Sequence, residues 1–222
     1  MMRAPGWVGL AVLSIAARSV GAQDSLRFVG PDAATSREVS QIIEAVAVQG
    51  LPAGLILSKA RFAIAVHTPG PKIVETAKAM AARLVVAQRA IAPHDLESDL
   101  AGAEAALSYN VPPDILQRIS AASPKQPIAV PLGVLTQLVA DGVPPKRAGE
   151  LLTKLLRLGA TPTQIADLGN TVNADVKLAG YKGLDALNAR YNNLIPRLAP
   201  LSPSATTDAG LTNTAGAPGK KP

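Results

Sequence analysis

Gly50-Leu51-Pro52, Asn110-Val111-Pro112-Pro113, Gly142-Val143-Pro144-Pro145 and Gly159-Ala160-Thr161-Pro162 are four copies of one punctuation mark. Each opens with a residue that tolerates a left-handed backbone, continues with an apolar residue and closes on proline. That order is what one helix stopping and the next starting requires. Glycine or asparagine just past a helix accepts a positive φ, and the apolar residue after it plugs the gap between the two helices. Proline brings a preset φ to the next first turn, where its missing N–H costs nothing. It also pushes the residue before it out of the helical region, so the break is fixed from both sides. Thr161 is in addition a ready N-cap for a helix opening at Pro162.

Working outward, the sequence between the breaks has helical period. Ile73, Ala77, Met80, Leu84, Ala87 and Ile91 form one stripe through 72–92. Ala148, Leu151, Leu152, Leu155 and Leu158 form another, with Lys154 and Arg157 near the C-terminal end, where cations suit the helix dipole. Val39, Ile42, Ile43 and Val46 mark a helix over 36–48, and Leu184, Leu187, Tyr191, Leu194 and Leu198 mark the last one. No stretch alternates with period two for long enough to be a strand. The expectation is an all-α chain, an array or bundle of eight or nine short helices joined by Gly/Asn-x-Pro turns. If the helices divide into two sub-bundles, the proline-rich stretch 123–131 (Pro124, Pro127, Pro131) is the expected join. Asn110 and Gly142 stand one helical hairpin apart, but the sequence around them does not otherwise repeat, which leaves solenoid and bundle both open.

The two ends read differently. Arg3, an apolar run from Trp7 to Ala17 and the small-residue pair Val20/Ala22 predict a signal peptide over 1–22, with Gln23 as the new N-terminus. The run is far shorter than the roughly 20 apolar residues a bilayer span needs. Periplasmic or secreted location follows, with no stable membrane span after processing. The helical domain is expected over 23–199, and residues 200–222, rich in Ser, Thr, Ala, Gly and Pro, as a disordered tail.

Composition removes several chemistries. With no cysteine there is no disulfide scaffold, thiolate metal centre, cysteine nucleophile or lipidated N-terminal Cys. Dropping Arg3 and Arg18 with the signal peptide leaves 20 basic against 16 acidic residues, a net charge of +4 with no long run of one sign.

The densest group of potential ligands is His94-Asp95-Leu96-Glu97-Ser98-Asp99. Asp95 directly precedes an apolar-periodic run, and residues 95, 97 and 99 point to different sides of a helix. The acids are therefore expected to cap and charge a helix start instead of converging on a metal. Glu97-Ser98 resembles the Glu-Ser pair of lytic transglycosylases, but the Gly-Leu-Met-Gln turn and aromatic sugar groove of that family do not follow it. Thr163–Leu168 looks like the opening of a helix-turn-helix, yet no following helix carries the Arg, Lys and Gln set that reads bases. No nucleic acid partner is expected. His67, just before Thr68-Pro69, reads as a cation at a helix C-terminus; its other reading is a general base with Glu75 or Asp95 brought near by folding.

No catalytic residue, bound cofactor or metal ligand is thus expected. Lys146 and Arg147 sit in a helix's first turn, where cations are mildly unfavourable. They are the candidate contact surface, unless Glu104 or Glu150 is their neighbour. The expected function is an exported, non-catalytic interaction or structural protein of the cell envelope, with a protein or envelope component as partner. The alternative is a periplasmic enzyme or a carrier of hydrophobic ligands with a pocket between helices.

Overall fold

A computed structural model describes residues 28–198. The expected signal peptide (1–22) and tail (200–222) lie outside the described residues. Among those described, the chain is all-helical with nine helices and no strand: α1 (Ala33–Val48), α2 (Ala53–Ala65), α3 (Gly70–Ile91), α4 (Glu97–Ser108), α5 (Pro113–Ala122), α6 (Ala129–Ala140), α7 (Pro145–Arg157), α8 (Pro162–Ala179) and α9 (Gly183–Leu198).

The four turns form as their sequence dictates. Gly50, Asn110, Gly142 and Gly159 all adopt the left-handed conformation, with φ of 72°, 60°, 87° and 80°. The apolar residue that follows donates its N–H five residues back, to Val46, Ala106, Leu138 and Leu155 respectively, at 3.0–3.1 Å. The left-handed residue donates three residues back as well, so two otherwise orphaned carbonyls are satisfied at each helix end. Leu51, Val111, Val143 and Ala160 are all buried, plugging the gap between successive helices. At α8 the Thr161 hydroxyl accepts from the Gln164 N–H at 3.3 Å and the Gln164 side chain accepts from the Thr161 N–H at 2.9 Å, a complete capping box.

His67 is a fifth copy of this motif. Its φ is 58°, its N–H meets the Ile64 carbonyl at 2.8 Å, and Thr68 reaches Ala63 at 2.9 Å. Histidine is one of the few non-glycine residues enriched at positive φ, so His67-Thr68-Pro69 does what Gly-x-Pro does elsewhere. Gly142→Ala tests the turn mechanism directly. A Cβ there would meet no other atom, so the variant isolates the backbone cost. It is expected to lower stability by about 1–2 kcal/mol, measured by urea unfolding; an unchanged midpoint would mean that the positive φ does not matter to how α6 ends.

The helices stack in two layers. α1, α3, α5 and α7 adjoin in that order, and α4, α6 and α8 adjoin behind them. α2 packs only on α1 and α3 among the stronger contacts, and α9 closes the far end against α8. Close approach within a layer rests on small residues. A Cβ on Gly149 of α7 would collide with Ile115 of α5, and one on Gly102 of α4 would press on Leu132 of α6 at 3.1 Å.

The core has two parts, but they do not meet at 123–131. One gathers α1, α2 and α3 as far as Leu84; the other runs from Ala87 of α3 to Tyr191 of α9. The boundary falls inside α3, whose single buried stripe feeds both cores. The stretch 123–131 lies within the larger core, where Ile128 is wholly buried beside Ile119 and Leu132. Prolines there mark a helix connection; they carry no information about which cores it joins.

One member of the α7 stripe is not in the core, and one large aromatic of α2 also lies outside it. Leu158 is the C-cap of α7 and is 40% exposed, because the helix has ended before the stripe comes round again. Phe62 of α2 is 61% exposed, and the Lys59 ammonium lies 5.9 Å from its ring centre.

Candidate functional site

The His94–Asp99 group follows its sequence in part: Glu97 and Asp99 fall in the first turn of α4, but none of the acids caps that helix. α4 begins at Glu97 with Leu96 as its N-cap and no side-chain cap, and Asp95 and Glu97 both stay exposed. Asp99 is completely buried, and it caps a different helix. Its Oδ1 accepts from the N–H groups of Ile128 and Ala129 at 3.0 and 2.8 Å, the first turn of α6. Its Oδ2 faces His94 Nδ1 at 3.5 Å. Beside this pair, the Ser120 hydroxyl donates to the Ile91 carbonyl at 3.0 Å at the end of α3. The buried polar residues here therefore tie α3, α4, α5 and α6 together. Among the described residues no three His, Cys, Asp or Glu side chains converge.

Neither of His67's suggested carboxylate partners is near it in role. Glu75 pairs with Lys72 at 2.9 Å, Asp95 is exposed, and His67 points into solvent. α8 runs straight through Gly169, which is buried against Val134, so the turn of a helix-turn-helix is absent at that point.

Lys146 and Arg147 do lie in the first turn of α7. Arg147 donates to Asn188 of α9 at 3.2 Å and approaches Glu150 at 4.0 Å, which accounts for its placement. Glu104 lies elsewhere, bound to Arg83 at 2.7 Å. Lys146 is exposed, two residues beyond Pro144 on the wall of a cleft of about 420 Å³. The cleft opens where the end of α6, the start of α7, the end of α8 and the start of α9 come together. Val176, Leu184, Pro144 and Tyr181 give it an apolar lining.

The end of α8 and the connection after it, Lys177-Leu178-Ala179-Gly180-Tyr181-Lys182, are exposed at every residue, and Tyr181 and Lys182 line that cleft. Gly180 takes φ 70° and turns the chain sharply. Leu178 is 86% and Tyr181 59% exposed, with a lysine on either side. The nearby carboxylates are mostly engaged. Arg190 binds both oxygens of Asp175 at 2.7 Å, and these bonds, with the guanidinium charge, hold the Asp175 carboxyl below the usual carboxylate range. Asn173 donates to both oxygens of Asp141 at 2.9 Å. The sequence reading passed over this segment because two apolar residues on a turn have no period. The lysines framing an apolar pair around a glycine were the available signal.

Other clefts are open surface grooves: about 370 Å³ between α8 and α9, and about 450 and 300 Å³ along α1 and α3. None of these is lined by a histidine. Compared with family models, characterised proteins and solved structures, the chain matches none of them.

Proposed function

We propose that the chain is an exported, non-catalytic binding protein of the cell envelope whose contact face is the end formed by α7, α8 and α9. One observation carries this reading: Leu178 and Tyr181 are exposed between Lys177 and Lys182, at the apolar cleft that Tyr181 and Lys182 line. Exposing two large apolar side chains, one at the end of α8 and one on the turn after it, forgoes the hydrophobic stabilisation they would otherwise give, and a partner that covers them restores it. Elsewhere the buried Asp99, Ser120 and Glu104 hold helices to one another, and no three ligating side chains converge among the described residues. Export rests on the reading of residues 1–22.

The test is site-directed photo-crosslinking in a secreting host. A benzophenone amino acid at position 181 is expected to give discrete products, while one at the exposed Gln126, at the opposite end of α6, gives none. Intact mass should show a chain beginning at Gln23. Equal products at both positions, none at 181, or an unprocessed chain in the cytoplasm would each overturn the reading.

A further inference from the structure

Resting on that contact face, we propose that its partner is the surface of an anionic lipid bilayer, on which the 177–182 turn docks peripherally. The shape of the face argues for lipid. Leu178, in the last turn of α8, is 86% exposed, so a rigid partner would need a matching socket, whereas the interfacial region of a bilayer accommodates a protruding apolar group of any shape. Tyr181, three residues on, has the apolar ring and polar tip that suit the headgroup level. Lys177 and Lys182 frame the pair with long stems that can lie along apolar surface while their ammonium groups stay among headgroups.

The charge of the face argues for anionic lipid. Lys146, Lys177 and Lys182 are exposed and make no ion pair among the described residues. Of the carboxylates on the same elements, Asp175 is neutralised by Arg190 and Glu150 faces Arg147, while Asp141 is held by Asn173. Asp141 keeps its charge beneath the neutral Asn173 amide, Asp185 in the first turn of α9 is exposed, and the exposed Asp167 of α8 lines the separate groove between α8 and α9. Lys146, Lys177 and Lys182 therefore exceed the carboxylates without a cation partner at this end, Asp141 and Asp185, by one. No described helix is long and apolar enough to cross a membrane. The contact is therefore a shallow one in which apolar insertion and charge attraction are both needed.

The absence of cysteine makes a clean test possible. Ala179→Cys and Gln126→Cys each place one thiol in the processed chain, for labelling with an environment-sensitive fluorophore. On adding vesicles of phosphatidylcholine with phosphatidylglycerol, the label at 179 is expected to brighten severalfold and shift to the blue, and the label at 126 to stay unchanged. Vesicles of phosphatidylcholine alone should give little response. Lys177→Glu with Lys182→Glu should weaken the partition by more than about tenfold, since each cation near an anionic surface contributes roughly fivefold; Leu178→Ser should weaken it too, with helical content unchanged in both. Silence at 179, an equal response to neutral vesicles, an equal response at 126, or the same response to a soluble polyanion without lipid would each overturn the proposal. Crosslinks from position 181 to a protein, together with silence at 179, would overturn the lipid assignment and leave the contact face standing. Loss of both would remove the face itself.

Discussion

Replacing Asp99 with alanine should be among the most damaging single changes in this chain, costing about 2–5 kcal/mol, because two backbone donors lose their acceptor at once. The carboxylate is fully buried and serves the N–H groups of Ile128 and Ala129, the first of them buried as well. With alanine there, those donors lose their acceptor in a place water does not reach, and an unsatisfied buried group costs about 1–3 kcal/mol. His94 Nδ1 loses its partner at the same time. Asp99→Asn keeps an acceptor oxygen for α6 and should recover part of the loss. Asp95→Ala and Glu97→Ala, from the same six residues but exposed, should each change stability by less than about 1 kcal/mol. Urea unfolding of the four variants decides it. Equal losses at 95, 97 and 99 would show that the acids act together on the start of α4, and the cross-helix cap would then be wrong.

That contrast shows where sequence stops being informative. Helix ends are local devices, and at Gly50, Asn110, Gly142 and Gly159 the glycine or asparagine, the apolar plug and the proline lie within four residues of one another. The stripe on α3 was equally local, and all six of its apolar residues are buried. The cap that Asp99 provides is not local. Its donors stand 29 and 30 residues further on, and nothing in His94–Asp99 itself distinguishes an acid that charges its own helix from one that reaches another. The division of the core failed for the same reason. Prolines in 123–131 report that the backbone turns, whereas membership of a core depends on which helices later pack together.

The candidate face was half legible. Lys146 breaks a local rule, as a cation in a first turn, and it is exposed two residues beyond Pro144, which lines the cleft. Arg147 breaks the same rule and is answered locally by Glu150 and across helices by Asn188 of α9. Leu178 and Tyr181 went unread because exposure is a tertiary property: on sequence alone a leucine near a helix end is read as core. His67 shows the converse case, a side-chain reading where the backbone was what mattered. Its imidazole suggested charge at the end of α2, while its φ is what ends the helix.

Leu155→Ala should cost about 2–5 kcal/mol, and Leu158→Ala close to nothing, although both leucines belong to the stripe that the sequence of α7 presents. Leu155 is completely buried in the larger core and its carbonyl also accepts from Ala160, so α7 cannot easily shift to fill the gap a smaller side chain leaves. Truncation of a buried leucine loses its transfer free energy and adds the cost of the residual cavity. The neighbours on α5 and α7 are already as close as Gly149 allows, which limits collapse onto the void. For a domain of this size a loss of about 3 kcal/mol corresponds to a fall in Tm of roughly 6–12 °C. Leu158 is the C-cap, 40% exposed, and should move Tm by no more than a degree or two on the same scale. Paired calorimetric scans of the two variants read both numbers at once. Comparable losses would place Leu158 inside the core and extend α7 by a turn; an unchanged Leu155→Ala melt would take α7 out of the core, and with it the α7 wall of the cleft.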